Sequence, residues 1–240
     1  MKTRKPKPVT FQTVENGETR KQKKNEIIRS YHNLQKKATN LDLKLLDKYQ
    51  KASVKAESIG QFACGKWLKS NLDKSDKSMK LSILDVGNLT GRNYSEKYFN
   101  PTYIDLNPQQ PNIQKQDLLT FNSLTRFNIV CLSLVINFSP VPSIRGEMIL
   151  SAKRNLELNG RLFIVLPLPC IMNSRYLTHE YFIEMMLSVG FKYKNHLFTN
   201  KLALYLFENT SDTIENGKFS KKALLRDKGG CNNFAIVFKS

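Results

Sequence analysis

The pattern of apolar and polar positions changes near residue 80. After it come short, nearly unbroken apolar runs: "LSILDV" (81–86), "TYIDL" (102–106), "FNIVCLSLV" (127–135) and "RLFIVLPL" (161–168). Runs apolar on both faces and separated by helix-length segments predict a parallel sheet with crossover helices. "GEMILSAKRNLELNG" before the last run has helical spacing, with Gly160 as its C-terminal stop. Thr178 is placed to cap a further helix with Tyr181, Phe182, Met185, Met186 and Val189 on its inner face, ending at Gly190. "LALYLFE" (202–208) and "NNFAIVFK" (232–239) read as two late strands forming an antiparallel pair on the sheet.

Before residue 80 the chain is more polar. Residues 41–57 have helical spacing, and a second segment puts Ile59, Phe62, Ala63 and Trp67 on one face, interrupted by Gly60 and Gly65. "KSNLDKSDKSMK" (69–80) is a polar connector. Residues 1–40 carry 11 Lys and Arg against 3 Glu, a net +8, and are expected to be disordered to about residue 25. The division is therefore a basic arm (1–40), a helical extension and connector (41–80), and a sheet domain (81–240).

Charge narrows the partners. The whole chain carries 38 Lys and Arg against 20 Asp and Glu, a formal +18, so nucleic acid is the first expected partner and an anionic membrane surface the second. Cys64, Cys131, Cys170 and Cys231 are far apart and make no Cys-x-x-Cys pair, which argues for buried thiols rather than zinc or disulfides. No run is long and apolar enough to span a bilayer and no signal-peptide segment opens the chain, so a soluble intracellular protein is expected. His32, His179 and His196 are scattered in sequence, offering no metal cluster and no His-paired nucleophile. Nothing demands an oligomer.

Candidate chemistry lies at the strand ends. "SILDVGNLTGRNY" (82–94) ends its apolar run in Asp85 and Gly87, but Leu89 stands where a second closely spaced glycine belongs, and the next is Gly91. Gly87 lets backbone approach a ligand that a Cβ would block. The missing glycine disfavours a loop that cradles a diphosphate, not a ligand without phosphates. Asp105 ends the second strand, where a carboxylate can accept both ribose hydroxyls. Asp117, followed by Leu118 in "QDLL", is placed to accept from an adenine amino group at the next strand end. In this order the three features describe S-adenosylmethionine; the alternative is strand-end aspartates that cap turns. The next strand leads into "SLVINFSPVPSIRG" (133–146). There Asn137, Phe138, Pro140 and Pro142 give an Asn-Phe-Ser-Pro-x-Pro variant of the Asp or Asn followed by prolines and an aromatic that amino-methylating enzymes hold at this position, or a loop merely stiffened by proline. Arg175, in "LPLPCIMNSRY" (166–176), reads equally as a phosphate or base contact or as a surface arginine.

Together "LLDKYQKAS", "ILDVG", "YIDLN", "QDLL", "LSLVINFSPVPSIRG", "LFIVLPLPCIMNSRY", "KLALYLF" and "NNFAIVF" resemble the fungal 25S ribosomal RNA adenine-N(1)-methyltransferases over about residues 41–240. The animal S-adenosylmethionine sensor of the TOR pathway is a relative. The resemblance implies an α/β class I (Rossmann-like) methyltransferase with a mostly parallel seven-stranded sheet flanked by helices. It also implies S-adenosyl-L-methionine as cofactor, large-subunit rRNA or a pre-ribosomal particle as partner, and a place in the nucleus and nucleolus. The family's single glycine after strand one and its acidic residue match Gly87 and Asp105. A non-catalytic cofactor sensor or ribosome-assembly factor is the competing expectation.

Overall fold

The computed structural model describes residues 65–73, 80–211 and 218–239. The basic arm and the predicted helix over 41–57 lie outside them. The sheet has seven strands: β1 (Leu81–Val86), β2 (Phe99–Asp105), β3 (Gln114–Lys115), β4 (Phe127–Ser133), β5 (Leu156–Pro167), β6 (Phe191–Phe198) and β7 (Leu202–Asn209). Their order is β3-β2-β1-β4-β5-β7-β6. β7 runs antiparallel to both neighbours, and the other pairings are parallel. This is the class I methyltransferase arrangement. The chain leaves β1 toward β2 and β3 and returns to β4 on the other side, so strand order reverses between β1 and β4. Ligands in open α/β sheets sit outside the carboxyl ends of the strands at such a point.

Both faces of the sheet are covered, which explains the unbroken apolar runs. On one face, α1 (Pro142–Arg154) and α3 (His179–Ser188) pack with Phe219, Phe234, Ile236 and Phe238 over Leu84, Leu132, Ile164 and Tyr205. A single turn, α2 (Pro169–Met172), follows β5. On the other face Leu68 and Leu72, from a helical turn over 65–70, join Ile83, Tyr94, Phe99 and Phe163, and Trp67 stacks on Phe163 at 5.7 Å. That turn covers a face that the crossovers from β1 to β4 leave to it, because those connections contain no α-helix among the described residues. Here the expected crossover helices are absent. No helix among the described residues is long and apolar enough to cross a membrane.

The cap at α3 is as predicted: Thr178 Oγ1 accepts from the Tyr181 N–H at 3.2 Å, and Gly190 turns the chain out at φ +77°. Two other expectations are corrected. α1 stops at Arg154, not at Gly160, because Asn155 closes it: its Nδ2 donates to the Ser151 and Phe121 carbonyls at 3.0 and 3.1 Å. Gly160 lies inside β5 beside a register irregularity, where a Cβ would meet Glu157 O, Leu156 Cδ1 and Asn128 O within 3.0 Å. The antiparallel pair is β6 with β7; residues 232–239 form no strand of the sheet. They run instead along α1, with Val237 N–H donating to Pro142 O at 3.1 Å. β6 escapes the sequence pattern because, as an edge strand, it alternates core residues with Lys192 and Lys194.

Candidate active site

The turn after β1 stands at the reversal point. Gly87 adopts φ +71°, and its N–H donates to Ile104 O at 2.8 Å, tying the turn to β2. A Cβ on Gly87 would lie 2.4 Å from Val135 Cγ2. Val135 begins the one-turn 3-10 helix Ile136–Phe138 that carries Asn137. The predicted cofactor turn and the predicted base-facing loop are therefore in direct contact. Leu134, just past the end of β4, is held at φ +58°, a left-handed conformation costly for a bulky side chain.

Asparagines close the loop where a second glycine was expected. Asn88 is buried; its Nδ2 donates to Asp85 Oδ2 at 2.5 Å while its Oδ1 accepts from the N–H groups of Thr90 and Gly91 at 2.9 and 2.5 Å. Asn93 Nδ2 donates to the same Asp85 oxygen at 3.0 Å, and Asn112 Nδ2 to Gly91 O at 3.0 Å. Leu89 turns into the core. Side-chain amides thus hold this turn together from within. The run Asn88, Asn93 and Asn112 was the available signal.

Burial pushes the Asp85 carboxyl up from 3.8 to about 7, against the lowering effect of Asn88 and Asn93. Unfolded, this group loses its proton near 3.8; folded, it keeps it to about 7. Between those values the folded state binds more protons, so stability falls as pH rises through that window. Asp85→Asn keeps an acceptor oxygen and removes the titration. It is expected to flatten the dependence of Tm on pH between 5 and 8, with a gain on the order of 4 kcal/mol over wild type at the alkaline end. Thermal melts across that range check this; parallel curves for the two proteins would contradict it.

At the end of β2, Asp105 Oδ1 accepts from the Asn107 N–H at 2.6 Å, and Oδ2 takes no partner among the described residues. Partial burial holds its carboxyl above the usual range, opposed by the Asn107 bond. Asp117 lies two residues past β3, and the intervening Gln116 N–H donates to Asp105 O at 3.0 Å. Asp117 Oδ1 accepts from the Leu119 N–H at 2.9 Å, the cap of a turn. Leu118 is buried in the core, which leaves only its backbone for a ligand.

Beyond Val135, the Asn137 amide oxygen is buried without a hydrogen-bond partner among the described residues. Phe138 is half-buried and Pro140 exposed on the same loop. An orphaned buried carbonyl is rare and costs about 1–3 kcal/mol, so it points to a ligand donor.

Arg145, which sequence reasoning passed over, holds this loop. Buried at the start of α1, it donates from Nε to Ser139 O at 2.8 Å, from Nη2 to Pro140 O at 3.5 Å and from Nη1 to Ala235 O at 2.7 Å, and its guanidinium lies 4.2 Å from the Phe234 ring centroid. With no carboxylate beside it among the described residues, burial lowers its pKa to about 10. Next to it, a Cβ on Gly146 would fall 1.9 Å from Val237 O. Arg145→Met leaves these carbonyls without a donor and is expected to cost about 3 kcal/mol, near 10 °C in Tm; Arg145→Lys recovers part of it. A melting temperature unchanged in the Met variant would contradict this role.

The loop after β5 is tied to the same C-terminal segment. Arg175 Nη1 donates to Cys231 O at 3.1 Å and Asn233 Oδ1 at 2.9 Å, and Ser174 Oγ to Phe234 O at 2.5 Å. Arg175 is thus a tie across the rim as well as a charge there. His179 and His196, far apart in sequence, meet with ring centroids 4.3 Å apart; their Nδ1 atoms pair with the hydroxyls of Tyr205 and Tyr193. A depression lined by Leu81, Asn128, Leu158 and Arg161 lies at the opposite, amino edge of the strands and touches none of these residues.

A profile of the family described as 25S rRNA (adenine(2142)-N(1))-methyltransferase, Bmt2, matches residues 34–236. The chain belongs to that family. It is 30% identical to the 25S rRNA adenine-N(1) methyltransferase of Schizosaccharomyces pombe over 89% of its own length and 91% of that protein's. It is 29% identical to the 25S rRNA (adenine(2142)-N(1))-methyltransferase of Saccharomyces cerevisiae over 72% of this chain and 52% of that one. Among solved structures, the 1,6-didemethyltoxoflavin-N1-methyltransferase of Burkholderia thailandensis aligns with a TM-score of 0.56 at 13% identity, over 85% of this chain and 94% of its own. TnmH aligns at 0.54 and 12%, over 82% and 70%. These two likenesses speak to the fold alone. Within the family's matched span lie Gly87, Asp105, Asn137, Arg145 and Arg175.

Proposed function

We propose that this chain is an S-adenosylmethionine-dependent methyltransferase acting on N1 of an adenine in large-subunit rRNA. One observation carries the reading of the site: the Gly87 turn packs on Val135, which places the β1 turn against the loop holding the unpartnered Asn137 oxygen. The residues suit the cofactor. Gly87 gives a backbone approach without a Cβ, Asp105 offers Oδ2 to a ribose diol, and the backbone at Asp117 and Leu118 lies beyond it for the adenine. Asp85, beneath the turn, acts by holding Asn88 and Asn93. Bound there, S-adenosylmethionine supplies an electrophilic methyl carbon on a sulfonium.

Adenine N1 has an in-plane lone pair and needs no strong base, so the chain's contribution is orientation. In a Watson–Crick pair that edge is occupied; the target base must be unpaired and turned out of its stack. Asn137 Oδ1 accepts from the N6 amino group, fixing the edge that presents N1. Phe138 and Pro140 wall the base, and Arg175 adds positive charge at the rim. By the same reading the substrate is met in a pre-ribosomal particle in the nucleolus, before rRNA folding hides the N1 edge.

Labelled methyl transfer to large-subunit rRNA from cells lacking the enzyme tests this, with deproteinised rRNA and pre-ribosomal particles in parallel and Gly87→Arg as control. Label in RNA with wild type and none with the control is expected. Cofactor binding without transfer to either substrate would instead favour a sensor.

A further inference from the structure

We propose that the C-terminal segment 218–230 is an RNA-backbone clamp, with Lys221, Lys222 and Lys228 as its phosphate contacts. The proposal rests on the rRNA reading above and adds to it where the strand is held. The segment is anchored, not trailing. Leu225 and Arg226 donate their N–H groups to Arg175 O at 2.8 and 3.2 Å, and Arg226 Nη1 reaches the carbonyls of Ile171 and Met172 at 3.1 and 2.8 Å. Those acceptors belong to the loop that leaves the carboxyl end of β5, the edge on which Gly87, Asp105 and Asn137 also lie.

The segment carries one carboxylate, Asp227, and its cationic groups divide into two kinds. Lys218 is paired with Glu184, and Arg226 is used on the carbonyls. Lys221, Lys222 and Lys228 are exposed and have no carboxylate partner among the described residues; Lys222 Nζ stands 5.1 Å from the Tyr176 ring centroid, next to Arg175. Leu224 and Leu225 are exposed between them, 58% and 37%. A fixed backbone carrying free ammonium groups beside an aromatic ring and apolar side chains suits phosphates with their sugars and bases. Because the segment is already bonded to the loop, little ordering cost is left for binding.

The test is the salt dependence of binding of the full chain to single-stranded oligoadenylate, read by fluorescence anisotropy. Lys221→Gln/Lys222→Gln/Lys228→Gln should flatten the log–log slope by about 2, at about 0.7 per phosphate contact, and raise KM for rRNA while the Kd for S-adenosylmethionine stays at the wild-type value. A control removing the same charge from the amino edge of the sheet, Lys80→Gln/Lys97→Gln/Lys192→Gln, should keep the wild-type slope. Equal slopes in all three proteins, or equal losses in both variants, would overturn the clamp. So would a clamp variant that keeps its RNA slope but loses binding to anionic lipid vesicles. These results are distinct from failure of the underlying reading, in which wild type transfers no methyl to rRNA.

Discussion

Gly87→Ala is expected to leave a folded protein that binds S-adenosylmethionine roughly a hundredfold more weakly than wild type. Two costs combine. An L-residue at φ +71° pays about 1–2 kcal/mol for the left-handed conformation, and the new Cβ, 2.4 Å from Val135 Cγ2, overpacks the contact by about 1–3 kcal/mol. The turn can relieve both only by moving away from β4, which spoils the ligand surface; about 3 kcal/mol is two decades of affinity. The costs can be separated. In Gly87→Ala/Val135→Ala the nearest remaining atom of residue 135 is its Cβ, at 3.6 Å, so the packing part should return and the backbone part should not. Calorimetric titration of the three proteins measures this. Wild-type affinity in Gly87→Ala would remove the turn from the cofactor site.

Asn137→Ala should slow methyl transfer by about 10²-fold, the scale of losing one positioning contact, with cofactor affinity unchanged. It should also raise Tm. The wild-type amide carries a buried oxygen with no partner among the described residues, and deleting an unsatisfied polar atom relieves about 1–3 kcal/mol. Activity and stability moving in opposite directions mark a group kept for its ligand. A fall in both would make Asn137 part of the scaffold, and an equal loss of cofactor affinity would move it to the other half of the site.

The parts of this site that were legible in the sequence are those set by strand ends. Asp85, Gly87 and Asp105 follow from where apolar runs stop, and a sheet buried on both faces makes those stops sharp. The Thr178 cap and its helix were legible because capping is local. What was missed depends on contacts distant in sequence. Nothing near Arg145 tells that its partner carbonyl is Ala235, and nothing in "NNFAIVFK" distinguishes a strand from an extended segment laid along α1 beside Gly146. Gly160 misled because a glycine after a helical run reads as a stop, whereas here it admits close packing within β5. With Leu89 where a glycine was expected, the turn is held instead by Asn88, whose side chain binds its backbone, a device that a residue pattern does not reveal.

The most direct measurement is to digest the labelled rRNA product to nucleosides at neutral pH, which avoids rearrangement of a methyl from N1 to N6, and to identify the labelled nucleoside by chromatography. The proposal predicts a single labelled species, 1-methyladenosine. Label in N6-methyladenosine, in another base or in the ribose would contradict the placement of N1 beside Asn137, and RNA without label would contradict the enzyme itself.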